Sequence, residues 1–207
     1  MNVFPYSGYD IGESDINAII EIHDKLKLTY FAEFDRDFTF NYKELELFKA
    51  NSINDLGPVI CIKNSFRSFH LAFIEISYRV GAGSRYSPGT HTEYQTWGIT
   101  SLKNAYGHIL IKPETFLDKI HELINSVELD FEDDREFSKK FYVVTDDPLK
   151  ARLQLNQTFR DHIMNIQAKE FFIEIIGNKL IIGNKKVIEP SSAIVFTEFM
   201  NKISRYF

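Results

Sequence analysis

The chain is poor in cysteine, and this excludes a fold held together by disulfides. Among its 207 residues there is one cysteine, Cys61, so no internal disulfide can form. Cys61 lies in the apolar run VICIK at 59–63, where a free cysteine usually behaves as a small buried hydrophobe rather than a reactive thiol. A chain of this length buries roughly 70% of its unfolded surface, so it needs no disulfide cross-links to be stable. We expect a protein of a reducing compartment, the cytoplasm.

Long apolar runs are also absent. The longest, such as FFIEII at 171–176, are far shorter than the roughly 20 residues that a helix needs to span a bilayer. The opening MNVFPYSGYDIGESD has neither the basic nor the apolar region of a signal peptide. We therefore expect a soluble chain without a spanning helix or a secretory leader.

Positive charge is not in excess. The 24 Lys and Arg residues are outnumbered by 29 Asp and Glu residues, which gives a net charge of −5. Because domains that bind nucleic acid usually carry a basic face, we expect no nucleic-acid partner. Phenylalanine and tyrosine are abundant instead, at 19 and 10 residues against one tryptophan, which predicts a core built from aromatic, strand-forming segments.

The spacings of known catalytic and metal sites are missing as well. The six histidines form no HExxH or HxH pattern and have no cysteine partner along the chain, so no metal site and no cofactor are predicted. No GxSxG elbow is present, so no catalytic residue is assigned. The acidic connector at 128–137 lacks the ligand order of an EF-hand, which favours a solvated charge run.

The centre of the chain has the pattern of a β-sheet. Turn residues separate four runs of β-branched and aromatic residues, at 59–63, 69–80, 92–102 and 108–111. Leu71 and Phe73 lie on one face of the second run and Ile74 and Ile76 on the other, which predicts a central strand covered on both sides. Clustered strands with short connections favour an α+β fold with a mainly antiparallel sheet and helices packed on it.

Helices are predicted around this sheet. The first spans 14–28 with Ser14 or Asp15 as its cap, and another spans 113–127 with Pro113 at its first position. Asp146 or Asp147 and Asn156 are expected to cap two more, and the last spans 191–204. The repeated IIGNK at 175–179 and 181–185 predicts tight turns. We interpret residues 1–207 as a single domain, with a weaker alternative join near 128–137.

The stretch YRVGAGSRYSPGTHTEYQTW at 78–97 is the best candidate for a site. Gly81 and Gly83 suggest a phosphate loop, but such a loop leads into a helix, and the sequence after this one again has strand character. A long hairpin is therefore the better interpretation, and hairpins of this length are uncommon unless they bind something or are disordered. The candidate binding residues are Arg85, Tyr86, His91 and Tyr94.

Four segments resemble a family of uncharacterised bacterial domains, often found behind membrane-spanning segments. They are FIEISYRVGAGSRYSPGTHTEYQT, LIKPETFLDKI, LDFEDDREFSKKFYVVTDDPLKARLQLNQTFRDHI and IEIIGNKLIIGN, which together cover roughly residues 70–185. The resemblance implies one continuous domain across these segments. The family has no assigned activity, so the resemblance implies no catalytic residue.

Two hypotheses about function remain open. The first is a non-catalytic interaction module that binds a protein segment or a membrane surface through the 81–92 hairpin and a sheet edge. The second is an enzyme or metal-binding domain that uses acidic residues with His91 or Glu93. The absence of a catalytic constellation favours the first.

Overall fold

The computed structural model describes residues 11–49, 52–65, 67–80, 89–114, 127–168 and 170–206. Its helices are α1 (Glu13–Lys27), α2 (Glu46–Lys49), α3 (Arg135–Lys140), α4 (Pro148–Gln154), α5 (Gln157–Met164) and α6 (Pro190–Tyr206), with a 3-10 turn at Tyr42–Glu44. Its strands are β1 (Phe31–Phe34), β2 (Ser52–Lys63), β3 (Ser68–Val80), β4 (Gly89–Ser101), β5 (His108–Pro113), β6 (Val127–Glu128), β7 (Phe141–Thr145), β8 (Phe172–Ile176) and β9 (Lys179–Val187). Among the described residues, no helix is long and apolar enough to cross a membrane.

These strands form one sheet of nine, in the order β1-β2-β3-β4-β9-β8-β5-β7-β6. Every neighbouring pair is antiparallel. The predicted α+β class with a mainly antiparallel sheet is confirmed. In β3 and β4 the pairing runs from His70–Ile99 to Val80–Gly89, so the glycine-rich stretch at 81–88 connects two strands. The flanking strands agree with the predicted long hairpin, because no helix follows β3 directly in the described part of the chain. Residues 81–88 themselves lie outside the described residues.

The two faces of the sheet are covered differently. Helices α1, α5 and α6 contribute to the larger core on the first face, which we call the helix face; Leu71 and Phe73 of β3 lie in this core. The opposite face is covered by residues 35–49, which we call the strap, and we name it the strap face. Ile74 and Ile76 lie there with strap residues such as Phe48. The prediction that β3 is buried on both faces is confirmed.

Local signals placed several helix ends correctly. The side chain of Asp147 accepts a hydrogen bond from the backbone of Lys150 at the start of α4, where Pro148 takes the first position. Asn156 caps α5 in the same way. At α1 the predicted cap, Ser14 or Asp15, is wrong by two or three residues. Gly12 is the cap, because its carbonyl already accepts from Ile16 N at 3.0 Å.

The prediction that Pro113 opens a helix is also wrong. Pro113 is the last residue of β5 and pairs with Phe141 of β7. A proline has no backbone N–H to donate to a neighbouring strand. On the side of β5 that faces β8 the pairing stops at Ile111, so no strand partner at Pro113 needs that donor. The rest of the predicted helix, at 115–126, lies outside the described residues.

The two Gly-Asn pairs have different roles. Gly177-Asn178 turns the chain between β8 and β9, and Gly177 adopts φ +58°. Gly183 lies within β9 directly opposite Trp97, so no turn forms there. A Cβ at Gly183 would approach the Trp97 indole at 2.3 Å and the Thr96 carbonyl oxygen at 2.8 Å. Gly183 therefore makes room for the fully buried indole on the strap face.

We expect Gly183→Ala to destabilise the protein by about 1 to 3 kcal/mol, because the added methyl meets a rigid ring and a backbone oxygen. Gly98→Ala is the matched control on the helix face. Its Cβ would meet the flexible end of Met200 at 2.5 Å, so it should cost less. Chemical unfolding of both variants measures the difference. Equal losses would show that the indole is not the constraint.

The acidic connector is tied to the core by an arginine. Arg160, 2% exposed, binds Asp134 through Nε at 3.0 Å and Asp133 through Nη2 at 2.7 Å. Its guanidinium also lies 4.4 Å from the Phe131 ring centroid. Asp134 caps α3 by accepting from Phe137 N. The prediction of a solvated charge run holds for the other acidic residues, which are exposed, but is wrong for Asp134, because a buried cation on α5 requires a carboxylate beside it.

We expect the free energy of unfolding to depend on pH through Asp134. Partial burial pushes its pKa up, but hydrogen bonds from Arg160, Phe137 N and Gln157 outweigh burial and hold the pKa below its usual value. A lowered pKa means that the stabilisation is present above the unfolded-state pKa of about 3.9 and is lost as the pH falls through the folded-state pKa.

We therefore expect Asp134→Asn to cost about 1 to 3 kcal/mol at neutral pH and almost nothing in strong acid, since asparagine keeps the cap but not the charge. Asp133→Asn is the control, because that side chain is 69% exposed and should cost less than about 0.5 kcal/mol. Urea unfolding across the acid range measures both. A loss in Asp134→Asn that does not change with pH would contradict the assignment.

Candidate functional site

A buried carboxylate attaches the strap to the sheet. Glu174, in the middle of β8, is 0% exposed, and its side chain lies on the strap face. It accepts hydrogen bonds from the backbone N–H groups of Glu46 at 2.8 Å and Leu47 at 3.0 Å, at the start of α2. His108 Nε2 lies 2.6 Å from the same carboxylate. Three donors thus replace the water that Glu174 gives up, which makes its burial tolerable.

Apolar contacts hold the strap beside this anchor. Phe48 packs edge-on against Trp97, with 4.8 Å between ring centroids. Leu45 and Leu47 are buried against the same core. At the other end of the strap, Phe38 lies over His70 with ring centroids 4.1 Å apart. Between these two contacts the strap stands away from the sheet.

The space between strap and sheet is a recess of about 380 Å³. This volume lies within the range of roughly 300 to 1,000 Å³ typical of small-molecule sites. Its apolar lining comes from both sides, and the polar lining includes His70, Ser101, Glu44 and Lys179. The apolar residues are Phe38, Phe40, Leu45, Ile99 and Ile176. Eight of the thirteen lining residues are polar, so the recess combines apolar walls with more polar groups than most small-molecule sites have.

One cation and one carboxylate line this recess. Lys179, the first residue of β9, donates from Nζ to the Ser101 hydroxyl at 2.7 Å, a neutral partner. Among the described residues, no carboxylate lies within salt-bridge distance of Lys179. Glu44 accepts a hydrogen bond from the Asn41 side chain at 2.6 Å. The ammonium therefore remains able to pair with an acidic group of a ligand.

Three potential metal ligands meet next to the recess. Asp35, Cys61 and His70 each offer one ligand atom, and these atoms lie within 4.8 Å of one another. His70 Nε2 is 3.3 Å from Asp35 Oδ2, and Cys61 is buried. Burial raises the pKa of the Cys61 thiol, and burial lowers the pKa of His70 although Asp35 opposes that change. Both shifts disfavour the thiolate–imidazolium pair on which cysteine nucleophiles depend.

The two predicted binding residues that the structure describes, His91 and Tyr94, do not line the recess. His91 lies near the far end of β4 with its side chain 52% exposed, 3.6 Å from Glu93. Tyr94 is buried on the helix face, 5% exposed. Arg85 and Tyr86 lie outside the described residues. A partner-binding role for these four residues stays a prediction.

Sequence reasoning missed the recess and the three-residue cluster. One signal was available: if 64–67 is taken as the turn between two strands, Cys61 falls opposite His70, as the structure pairs them. The sequence offered no signal of that kind for Asp35, which reaches the cluster because β1 pairs with β2 and Asp35 N donates to the Val59 carbonyl at 2.9 Å. No pattern linked Glu174 to the strap, since 128 positions separate it from Glu46.

Comparison with known proteins gives little further information. No family model matches the chain, and no curated protein matches it in sequence. The resemblance to a family of uncharacterised bacterial domains therefore stays a prediction. Among solved structures, the chain is similar to the crystal structure of the mycobacterial trehalose monomycolate transport factor A, TtfA. The TM-score is 0.49 at 10% identity, over 91% of this chain and 95% of the other. A likeness at this level carries no argument about function.

The anchoring role of Glu174 can be tested by removing its charge. We expect Glu174→Gln to cost about 2 to 4 kcal/mol, because an amide cannot accept from all three donors and places its own N–H groups against them. Thermal unfolding should show a fall of about 2 to 4 °C for each kcal/mol.

The control for this change is Glu170→Gln, at a carboxylate that is 46% exposed and paired with Lys186. It should cost less than about 0.5 kcal/mol. Emission from Trp97 gives a second measurement, because a loosened strap moves Phe48 away from the indole. Equal stability of the two variants would show that the carboxylate does not hold the strap.

Proposed function

We propose that the chain is a non-catalytic binding domain that takes a small amphipathic molecule with a single acidic group in the recess under the strap. The observation that carries this proposal is a recess that has apolar walls on both sides and an ammonium, Lys179, whose described partner is a hydroxyl. Burial of an apolar ligand body against Phe38, Phe40 and Ile99 supplies the affinity, at about 25 cal/mol for each Å² removed from water.

The charges of the lining favour one acidic group over several. Lys179 offers a single positive charge, and Glu44 places a carboxylate in the same lining. A nucleotide or another polyanion would meet that carboxylate without enough cations to balance it. A monocarboxylate with an apolar tail matches Lys179 and leaves the tail to the aromatic side chains of the strap.

A binding role also agrees with the chemistry around the recess. Cys61 is the potential nucleophile beside the recess, and His70 is the residue of the lining next to it. The raised pKa of Cys61 and the lowered pKa of His70 favour their neutral forms, which are not those of a catalytic cysteine–histidine pair. The interaction hypothesis from the sequence, with a protein segment or a membrane surface as partner at the 81–92 hairpin, is a separate proposal and does not depend on the recess.

Three probes that share one tail test the proposal: octanoate, octanol and octylamine. We expect calorimetry to show that octanoate binds more tightly than octanol, and octanol more tightly than octylamine, because only the carboxylate pairs with Lys179. Lys179→Met should remove the preference for octanoate while leaving the affinity for octanol nearly unchanged.

Lys186→Met is the matched control, since Lys186 lies on the same strand, outside the recess, and pairs with Glu170. It should bind all three probes as the unchanged protein does. Failure of every probe to bind would overturn the proposal. Equal binding of octanoate and octanol would overturn the part assigned to Lys179.

A further inference from the structure

The cluster of Asp35, Cys61 and His70 is built by the register of three strands. Cys61 and His70 are direct partners across the antiparallel pair β2 and β3, so their side chains lie on the same face. Asp35 follows β1, and its backbone bond to Val59 places it diagonally across from Cys61. All three side chains therefore come together on the strap face, at the end of the sheet formed by β1, β2 and β3.

The separations fit a small coordination sphere. In a tetrahedral zinc site, bond lengths of about 2.0 to 2.3 Å put neighbouring ligand atoms roughly 3.3 to 3.6 Å apart. His70 Nε2 and Asp35 Oδ2 are already 3.3 Å apart. The three ligand atoms all lie within 4.8 Å of one another. Side-chain rotations that move a ligand atom by about 1 Å would therefore complete the geometry.

The surroundings orient these donors. Asp35 Oδ1 accepts a hydrogen bond from Asp37 N at 3.1 Å, which leaves Oδ2 directed at His70. Phe38 covers the imidazole. The charged groups around the cluster are the Lys63 ammonium, which pairs with Glu33, and the Lys179 ammonium, which acts on His70. Support of this kind from the groups around the ligands is a usual feature of metal sites.

We propose that Asp35, Cys61 and His70 form a site for a divalent transition metal ion, with zinc as the best match. A thiolate, an imidazole and a carboxylate are the donors that zinc takes, and the sulfur ligand disfavours calcium and magnesium. Three protein ligands leave a fourth position for water or another small ligand. The site goes beyond the proposed binding function and does not depend on it.

Cobalt(II) is the probe for this site, because a thiolate ligand gives it a charge-transfer band in the near ultraviolet and tetrahedral ligands give it intense visible bands. Chelator-treated protein titrated with cobalt(II) should show both features and saturate at one ion per chain. Zinc(II) added afterwards should displace cobalt(II) and raise the Tm of the protein by several degrees.

Three variants and one control decide the assignment. Cys61→Ser should abolish the charge-transfer band, and Asp35→Asn and His70→Gln should each weaken binding by at least about tenfold. His91→Gln removes a histidine–carboxylate pair on the strap face that lies outside the cluster, and it should change nothing. The Tm of each variant without metal shows whether it remains folded.

Absence of saturable binding by the unchanged protein would overturn the proposal. A charge-transfer band that survives in folded Cys61→Ser would overturn it too, because the thiol would then not be a ligand. Lys186→Met should leave the cobalt spectrum unchanged, since Lys186 lies outside both the cluster and the recess. The amphiphile titrations in the presence of chelator test the recess by itself, so a failure of one proposal can be told from a failure of the other.

Discussion

The buried carboxylate of Glu174 is the interaction on which the strap face depends. A charged group at 0% exposure must be satisfied within the protein, and Glu46 N, Leu47 N and His108 supply its donors. Because two of these donors belong to the first residues of α2, the carboxylate determines where the strap meets the sheet. The recess exists because the strap is held at Glu174 and at Phe38 but not between them.

The unequal coverage of the two faces explains where the polar chemistry lies. The helix face is covered by α1 and α6 among others, and its core is large and apolar. The strap is a short, irregular segment that covers less, so polar side chains such as His70 and Lys179 are tolerated beneath and beside it. Incomplete coverage of a sheet is costly for stability, and it is also what leaves room for a ligand.

His70 connects the two features of the strap face. Its ring lines the recess, stacks under Phe38 and lies against Asp35 in the three-residue cluster. Burial lowers its pKa, which leaves a neutral imidazole that can donate to a ligand or coordinate a metal. A single side chain thus forms part of the wall of one site and one donor of the other.

Local sequence determined much of the fold. The alternation in β3, the caps Asp147 and Asn156, and the turn at Gly177 follow from steric and hydrogen-bonding preferences that act within a few residues. The same rules misplaced Pro113, because a proline that suits the start of a helix also suits the end of a strand. They also treated Asp134 of the acidic connector as solvated, since its partner Arg160 lies more than twenty positions away.

What only the tertiary structure decided is the candidate site. Glu174 meets the strap across more than a hundred residues, and Asp35 reaches Cys61 through the pairing of an edge strand. Such contacts depend on sheet register and on the burial of distant side chains against one another, neither of which has a local pattern. The sequence by itself therefore determined the class of fold and most of its elements, while packing between distant segments created the recess and the cluster of Asp35, Cys61 and His70.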